Sequence, residues 1–114
     1  MAAKPTLTDA QRMPPKGVAT QARRGLDLRE KHGRGGTEVG VRRAHQLADQ
    51  EPVSDKDIKD IYSYFARHTV DKQAERWGSR KEPSAGYIAW LLWGGDPAER
   101  WIKRLHDRLE KANG

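Results

Sequence analysis

The sequence predicts an all-α fold: a compact bundle of about five helices, with a short buried central helix and a flexible N-terminal arm. Apolar residues recur at three- and four-residue spacing in several segments, and residues that commonly begin or end helices stand between those segments. No segment alternates apolar and polar residues as a strand does. The 114 residues suffice for one modest core. We therefore expect an arm over residues 1–15 and a single helical domain over residues 16–114.

Two helices joined by a glycine-rich turn are predicted directly after the arm. The arm itself contains three prolines and little apolar periodicity, which is typical of a mobile segment. The apolar residues that follow fall close to helical spacing and predict a first helix over about residues 17–31. Gly33 stands where a glycine commonly ends a helix, and Thr37 is a favourable N-cap. A second helix is therefore expected from Glu38 to about Ala48.

A third helix is predicted after Ser54. Ser54 and Asp57 have the spacing of a capping pair, in which a hydroxyl and a carboxylate satisfy free amides of the first turn. Ile58, Ile61 and Phe65 then recur at three- and four-residue spacing, opposite charged residues. This pattern predicts an amphipathic helix with one buried side.

The remainder of the chain predicts a long loop and two further helices. Residues 69–83 show little core-forming periodicity, so we expect a loop there with one helical turn. Ser84 caps a short helix, and residues 87–93 are apolar on every side, which places this helix at the centre of the fold. Asp96, with Glu99 three residues later, is expected to cap the last helix.

The composition favours a polyanionic partner. Lysine and arginine outnumber acidic residues by 22 to 16, which gives a formal net charge of +6. The excess lies in residues 1–50, with ten basic and five acidic residues, whereas residues 51–114 hold twelve and eleven. The absence of cysteine excludes disulfides, a thiol nucleophile and a cysteine-ligated zinc site. The longest apolar run, "YIAWLLW", is too short to span a membrane, so no membrane partner is expected.

Two motifs connect the chain to a known group of proteins. The combination of "RGGTEVGVRRA" with "IAWLLWGGD" resembles a family of small uncharacterised proteins and domains found among bacteriophage and prophage genes. The resemblance covers about residues 15–101. It implies a phage-related origin, among virion-associated or DNA-handling products, and it implies no particular activity or ligand.

The turn from Gly33 to Thr37 has two interpretations. Its glycines, with Arg34 among them, lead into a helix N-terminus, and such an end with free amides attracts phosphate. Alternatively, the glycines only let the chain reverse between two packed helices. The spacing lacks the lysine and the second glycine of a phosphate-binding loop, which favours the structural turn.

The first two helices also predict a basic face. The early positions of the second helix are Glu38, Val39 and Gly40, which are poorly suited to reading bases in the major groove. Contacts to the phosphate backbone require only exposed cations, and a plain solvated surface is the alternative. The candidate phosphate-binding residues on this face are Lys16, Arg23, Arg24, Arg34, Arg42 and Arg43.

A second candidate contact site lies in the long loop, in "ERWGSRK". Trp77 is surrounded there by Arg76, Arg80 and Lys81, a mixture in which an indole stacks on an unpaired base while the cations hold phosphates. The alternative is that Trp77 covers the bundle as a lid, since large aromatic side chains are more often buried than displayed.

The sequence indicates a binding protein more than an enzyme. The four histidines lack metal-binding spacing, and His68 with Asp71 nearby is weak support for acid–base chemistry. We expect no enzymatic activity, no metal and no cofactor. The predicted function is that of a small basic phage-type accessory protein that binds DNA or RNA with low specificity through phosphate contacts. The alternative is a virion or assembly module that docks on an acidic protein partner; we expect either in the host cytoplasm or the virion.

Overall fold

The computed structural model describes residues 7–113, and within them it contains helices and no strand. The elements are α1 (Asp9–Arg12), α2 (Lys16–His32), α3 (Glu38–Ala48), α4 (Asp55–His68), a 3₁₀ helix (Thr69–Gln73), α5 (Ala85–Leu92) and α6 (Gly95–Asn113). The predicted all-α class is confirmed, with five helices of eight residues or more in this part of the chain. None of the helices described is both long and apolar enough to cross a membrane.

The helix starts follow the predicted capping residues. The Thr37 hydroxyl accepts a hydrogen bond from the Gly40 amide, and the Ser84 hydroxyl accepts one from the Tyr87 amide. At the start of α4 the capping is reciprocal: Ser54 Oγ accepts from the Asp57 amide at 3.0 Å, and Asp57 Oδ2 accepts from the Ser54 amide at 2.9 Å. These bonds satisfy amides that have no partner inside the helix, so the starts of α3, α4 and α5 are fixed locally.

Helix α5 lies at the centre of the fold. Its side chains at Ile88, Trp90, Leu91 and Leu92 are at most 2% exposed, and the helix contacts α2, α3, α4 and α6. The prediction of a buried central helix is therefore confirmed, although the flanking Tyr87 and Trp93 are only half-buried. Trp90 carries much of this packing, with its ring edge-to-face on Phe65 at 4.7 Å between centroids.

Two glycines let the backbone of α5 approach its neighbours. A Cβ added at Gly25 of α2 would lie 2.7 Å from the amide nitrogen of Leu92, which is closer than any side chain allows. A Cβ added at Gly35 would lie 2.6 Å from Ile88 Cβ, and Gly35 also has a φ of 103° that favours glycine. The glycine-rich turn is thus a packing surface for α5, which corresponds to the structural interpretation of the turn.

Part of the predicted flexible arm packs against the bundle. Residues 1–6 lie outside the described residues. Arg12 donates to the Val53 carbonyl oxygen at 3.0 Å and pairs with Asp55 at 2.7 Å. The Val53 amide donates to the Arg12 carbonyl oxygen, and Trp101 Nε1 donates to that of Gln11 at 3.3 Å. The packed region therefore begins before Lys16. The proline content of this segment predicted a mobile arm, and the attachment was not predictable because its contacts are with residues that are distant in sequence.

The predicted cap at Asp96 is wrong. Helix α6 begins at Gly95, so Asp96 lies inside it, and its Oδ1 accepts hydrogen bonds from Trp90 Nε1 at 2.8 Å and Lys72 Nζ at 2.9 Å. Partial burial alone raises the pKa of Asp96, but the bonds from Lys72 and Trp90 outweigh it and lower that pKa. The carboxylate thus satisfies the buried indole of α5 and holds the 3₁₀ helix, in which Lys72 lies, against it.

A matched pair of glycine substitutions tests the packing role of the turn. The Cβ that Gly33→Ala adds has no atom within 4 Å, so the only cost is the strain of an alanine at a φ of 64°. We expect this substitution to lower the free energy of unfolding by about 1–2 kcal/mol. Gly35→Ala adds an overlap with Ile88, and we expect roughly 1–3 kcal/mol more. Urea unfolding followed by circular dichroism measures both. Equal losses for the two variants would show that the turn does not pack tightly on α5.

Candidate nucleic-acid interface

Arg43 belongs to the fold rather than to an exposed basic face. Its side chain is 11% exposed, and Nη1 lies 2.8 Å from Asp57 Oδ1 and 2.7 Å from Gln46 Oε1. Nη2 lies 3.5 Å from Asp60 Oδ2, and the guanidinium carbon is 5.4 Å from the centroid of the Trp93 ring. Arg43 therefore joins α3 to α4 through two carboxylates. This corrects its prediction as a phosphate contact, because its charge is already compensated.

The Asp57 carboxylate is strongly stabilised in its charged form. Partial burial by itself raises the pKa of Asp57, but hydrogen bonds from Arg43, the Ser54 amide and Gln46 outweigh it and lower the pKa from 3.8 to about 2. The same carboxylate thus caps α4 and pairs with α3. A single residue couples the start of one helix to the side of another.

The other predicted residues of α2, α3 and their turn divide into two groups. Arg23 and Arg34 donate to carbonyl oxygens, of Ala48 at 3.1 Å and of Pro83 at 3.1 Å, which ties α2 to the end of α3 and the turn to the start of α5. Three cations are exposed and, within residues 7–113, have no hydrogen-bond or ion-pair partner: Lys16, Arg24 and Arg42. Arg43 faces α4, so the six cations do not form one continuous face.

The loop site is also altered by packing. The Trp77 ring lies edge-to-face on Tyr87 at 5.1 Å and on Trp90 at 5.7 Å, which corresponds to the lid interpretation and corrects the predicted stacking platform. Arg76 pairs with Glu82. Arg80 and Lys81 are exposed and have no partner among the described residues. This loop therefore keeps two free cations and loses its aromatic surface.

Sequence reasoning missed a row of arginines on α6. Arg100, Arg104 and Arg108 recur every four residues, all are exposed, and none has a hydrogen-bond or ion-pair partner in the described part of the chain. A helix rises about 1.5 Å per residue, so the three side chains start about 6 Å apart along one side. We call these three residues the α6 arginine row. The signal was present in the sequence as an arginine at every fourth position.

The α6 arginine row lies beside the start of α2. Arg104 and Arg108 line a surface depression of about 320 Å³ together with Met13 and Pro15. Lys16 follows Pro15 directly as the first residue of α2, and a Cβ added at the next residue would be 3.7 Å from Pro97 Cβ of α6. Lys16, one of the cations predicted from sequence, therefore lies between two residues, Pro15 and Gly17, that are close to α6.

Comparisons of the chain with protein-family models, with curated proteins and with solved structures found no match. The resemblance to phage and prophage proteins accordingly stays a prediction. The function proposed below rests on the geometry of the chain's own residues.

Adjacent arginines of α3 provide a test of the structural role of Arg43. We expect Arg43→Gln to lower the free energy of unfolding at neutral pH by about 2 kcal/mol, because it leaves the Asp57 carboxylate without its charged partner. Arg42→Gln removes an exposed cation and should change stability by less than about 0.5 kcal/mol. Urea unfolding at several pH values measures both.

The pH dependence identifies the carboxylate involved. Since folding lowers the pKa of Asp57, its contribution is present above pH 3.8 and is lost as the pH falls from 3.8 to about 2. The stability gap between the wild-type protein and Arg43→Gln should therefore narrow over that interval. A gap that does not change in acid, or equal losses for both variants, would contradict the pairing.

Proposed function

We propose that the protein binds nucleic acid with little sequence preference, through phosphate contacts made by cations that the fold leaves unpaired. The observation that carries the proposal is the α6 arginine row, whose three guanidinium groups are exposed on one helix. Arg104 and Arg108 have no carboxylate partner among the described residues, and Arg100 interacts electrostatically with Asp96 one turn earlier. Arginine is well suited to phosphate, because its planar fork of donors matches two phosphate oxygens. Lys16 extends this surface at the start of α2.

The surrounding charge supports the same assignment. Between Arg100 and Lys111, α6 carries five basic residues and two acidic residues. The acidic residues of α4 are instead used by the fold, with Asp57 and Asp60 on Arg43. Over the whole of α6 there are five basic and four acidic residues, and one of the acidic residues, Asp96, is engaged by Lys72. The excess of positive charge therefore lies in the later turns of α6, where it attracts a polyanion over a distance of about 10 Å at moderate salt.

Low sequence specificity follows from the residues available. The α6 arginine row has no neighbouring asparagine or glutamine on α6 before the last turn, so it lacks the side chains that commonly read adenine. Contacts to phosphates carry no sequence information. The proposal contains no catalytic step, and it places the protein with nucleic acid in the host cytoplasm or in a phage particle.

The same exposed cations also suit an acidic protein surface, which is the alternative partner. Binding to nucleic acid and binding to an acidic protein are expected to differ in how the affinity depends on salt and in how selective the binding is. Binding to phosphates releases condensed counterions, so affinity for duplex DNA falls with a slope of about 0.9 per phosphate contact in log–log form. A protein partner would show selectivity for one acidic surface.

Two double variants with equal charge change test the proposal. Arg104→Gln/Arg108→Gln removes two members of the α6 arginine row, and Lys31→Gln/Lys59→Gln removes two exposed cations of α2 and α4. We expect the first to weaken binding by roughly tenfold or more at low salt and to lower the salt slope by about two, one for each lost contact. The second should have a much smaller effect. Fluorescence anisotropy with labelled duplex DNA, single-stranded DNA and single-stranded RNA across a salt series measures these changes.

Two outcomes would contradict the proposal. Equal losses in the two double variants would show that net charge matters and that the α6 arginine row is not the contact surface. No binding of any of the three polymers at low salt would exclude nucleic acid and favour the acidic protein partner. Circular dichroism of each variant confirms that the helices are retained.

A further inference from the structure

The depression of about 320 Å³ beside the α6 arginine row is lined by apolar side chains from two parts of the chain. Met13 and Pro15 come from the segment before α2, and Trp101 and Leu105 come from α6. We call it the α6 depression. Its volume is at the low end of the range for sites that bind small organic molecules. The α6 depression therefore suits one small organic group with apolar faces.

Met13 is presented at this depression by a backbone that is held in place. The residue is 50% exposed. The carbonyl oxygens on both sides of it accept hydrogen bonds of 2.8–3.3 Å from distant parts of the fold, in the pairs Gln11 with Trp101, Arg12 with Val53, and Pro14 with Gln50. Its flexible, polarizable side chain packs well on flat rings. Met13 thus offers an apolar contact at a fixed position.

The charge of the α6 depression favours an anionic occupant. Arg104 and Arg108 belong to the lining, and no acidic residue does. Neither guanidinium group has a hydrogen-bond or ion-pair partner in the described part of the chain. The two residues are one helical turn apart, about 6 Å along the axis. The expected occupant therefore combines an apolar, flat group with more than one negative charge close to it.

We propose that the α6 depression takes one base of a single-stranded nucleic acid, while Arg104 and Arg108 hold the phosphates on either side of its sugar. The inference rests on the proposed function and names the polymer. In a duplex the faces of the bases are covered by their neighbours, whereas a single strand exposes them. Stacking tolerates all four bases, which agrees with the low sequence specificity proposed above.

Two oligonucleotides with equal numbers of phosphates separate base contacts from phosphate contacts. They are single-stranded oligothymidylate and an abasic strand of the same length. The wild-type protein should bind oligothymidylate roughly tenfold more tightly, as expected for the stacking of one base. Fluorescence anisotropy measures both affinities, and equal affinities would overturn the proposal.

Substitutions of Met13 locate the base contact. Met13→Ala should weaken the binding of oligothymidylate by roughly threefold or more, and should leave the abasic strand and the salt slope unchanged because no charge is lost. Met13→Leu keeps an apolar side chain and should bind as the wild type does. Val70→Ala is the matched control, since Val70 is 60% exposed and does not line the α6 depression. Equal losses for both strands in Met13→Ala, or the same loss in Val70→Ala, would contradict the assignment; circular dichroism confirms that the helices are retained.

The methyl resonance of Met13 reports the occupant directly, because the chain has only two methionines. A base that stacks on this side chain shifts the resonance through its ring current. We expect the shift with single-stranded oligodeoxyadenylate and not with the abasic strand or with a short duplex. An equal shift with the abasic strand would show that Met13 senses the phosphates and not a base, which would overturn the proposal.

The arginines separate this proposal from the function on which it rests. Arg104→Gln/Arg108→Gln should weaken the binding of both strands. If both strands bind equally and both depend on these arginines, the phosphate surface stands and the base site is overturned. If neither strand binds, both proposals fail, and a shift of the Met13 methyl resonance with an acidic peptide that contains leucine would assign the depression to the alternative protein partner.

Discussion

The fold depends on the close approach of α5 to the helices around it. The backbone of α5 lies against α2 at Gly25 and against the glycine turn at Gly35, so that even a methyl group would overlap at either position. Because α5 is so deeply placed, its indole at Trp90 needs an acceptor, and the carboxylate of Asp96 supplies it from the first turn of α6. The same placement brings Trp93 beside Arg43 and Tyr64. Packing of one short helix thus determines where several polar groups must lie.

This constraint divides the cations of the protein into two classes. Some complete the packing: Arg43 joins α3 to α4, and Arg12 attaches the segment before α2. Others project from the outer sides of helices and have no hydrogen-bond or ion-pair partner in the described part of the chain, as Arg104 and Arg108 of the α6 arginine row do. The net charge of the chain includes both classes of cation, although only the exposed cations of the second class are available to a binding partner. Exposed cations without an ion-pair partner in the described part of the chain therefore occur on α6, at Arg104 and Arg108, as well as in the basic front half of the chain.

Local signals made most of the helices predictable from sequence, whereas long-range contacts were not predictable. Thr37, Ser54 and Ser84 act on amides three residues away, so their positions defined helix starts. Asp96 has the same local spacing, but its carboxylate is used by the indole of Trp90 and by Lys72, which only the folded chain brings together. The role of Arg43 likewise depends on Asp57, which lies on another helix.

The α6 arginine row, on which the proposed function rests, was not predicted from the sequence for a related reason. Averaging charge over residues 51–114 balanced the basic residues of α6 against acidic residues that the fold uses elsewhere. Trp77 was a candidate for stacking because its neighbours in sequence are polar, yet its neighbours in space are Tyr87 and Trp90.

The most direct measurement is the response of the arginine side-chain Nε–Hε resonances to a short duplex of arbitrary sequence with 5′-hydroxyl ends. Each arginine reports separately, so free and paired cations are distinguished within one spectrum. The account predicts that Arg100, Arg104 and Arg108 shift and that the changes reverse with added salt, while Arg43 stays unchanged. Shifts confined to the arginines of α2 and α3, or no shifts at low salt, would contradict the assignment of the nucleic-acid surface to α6.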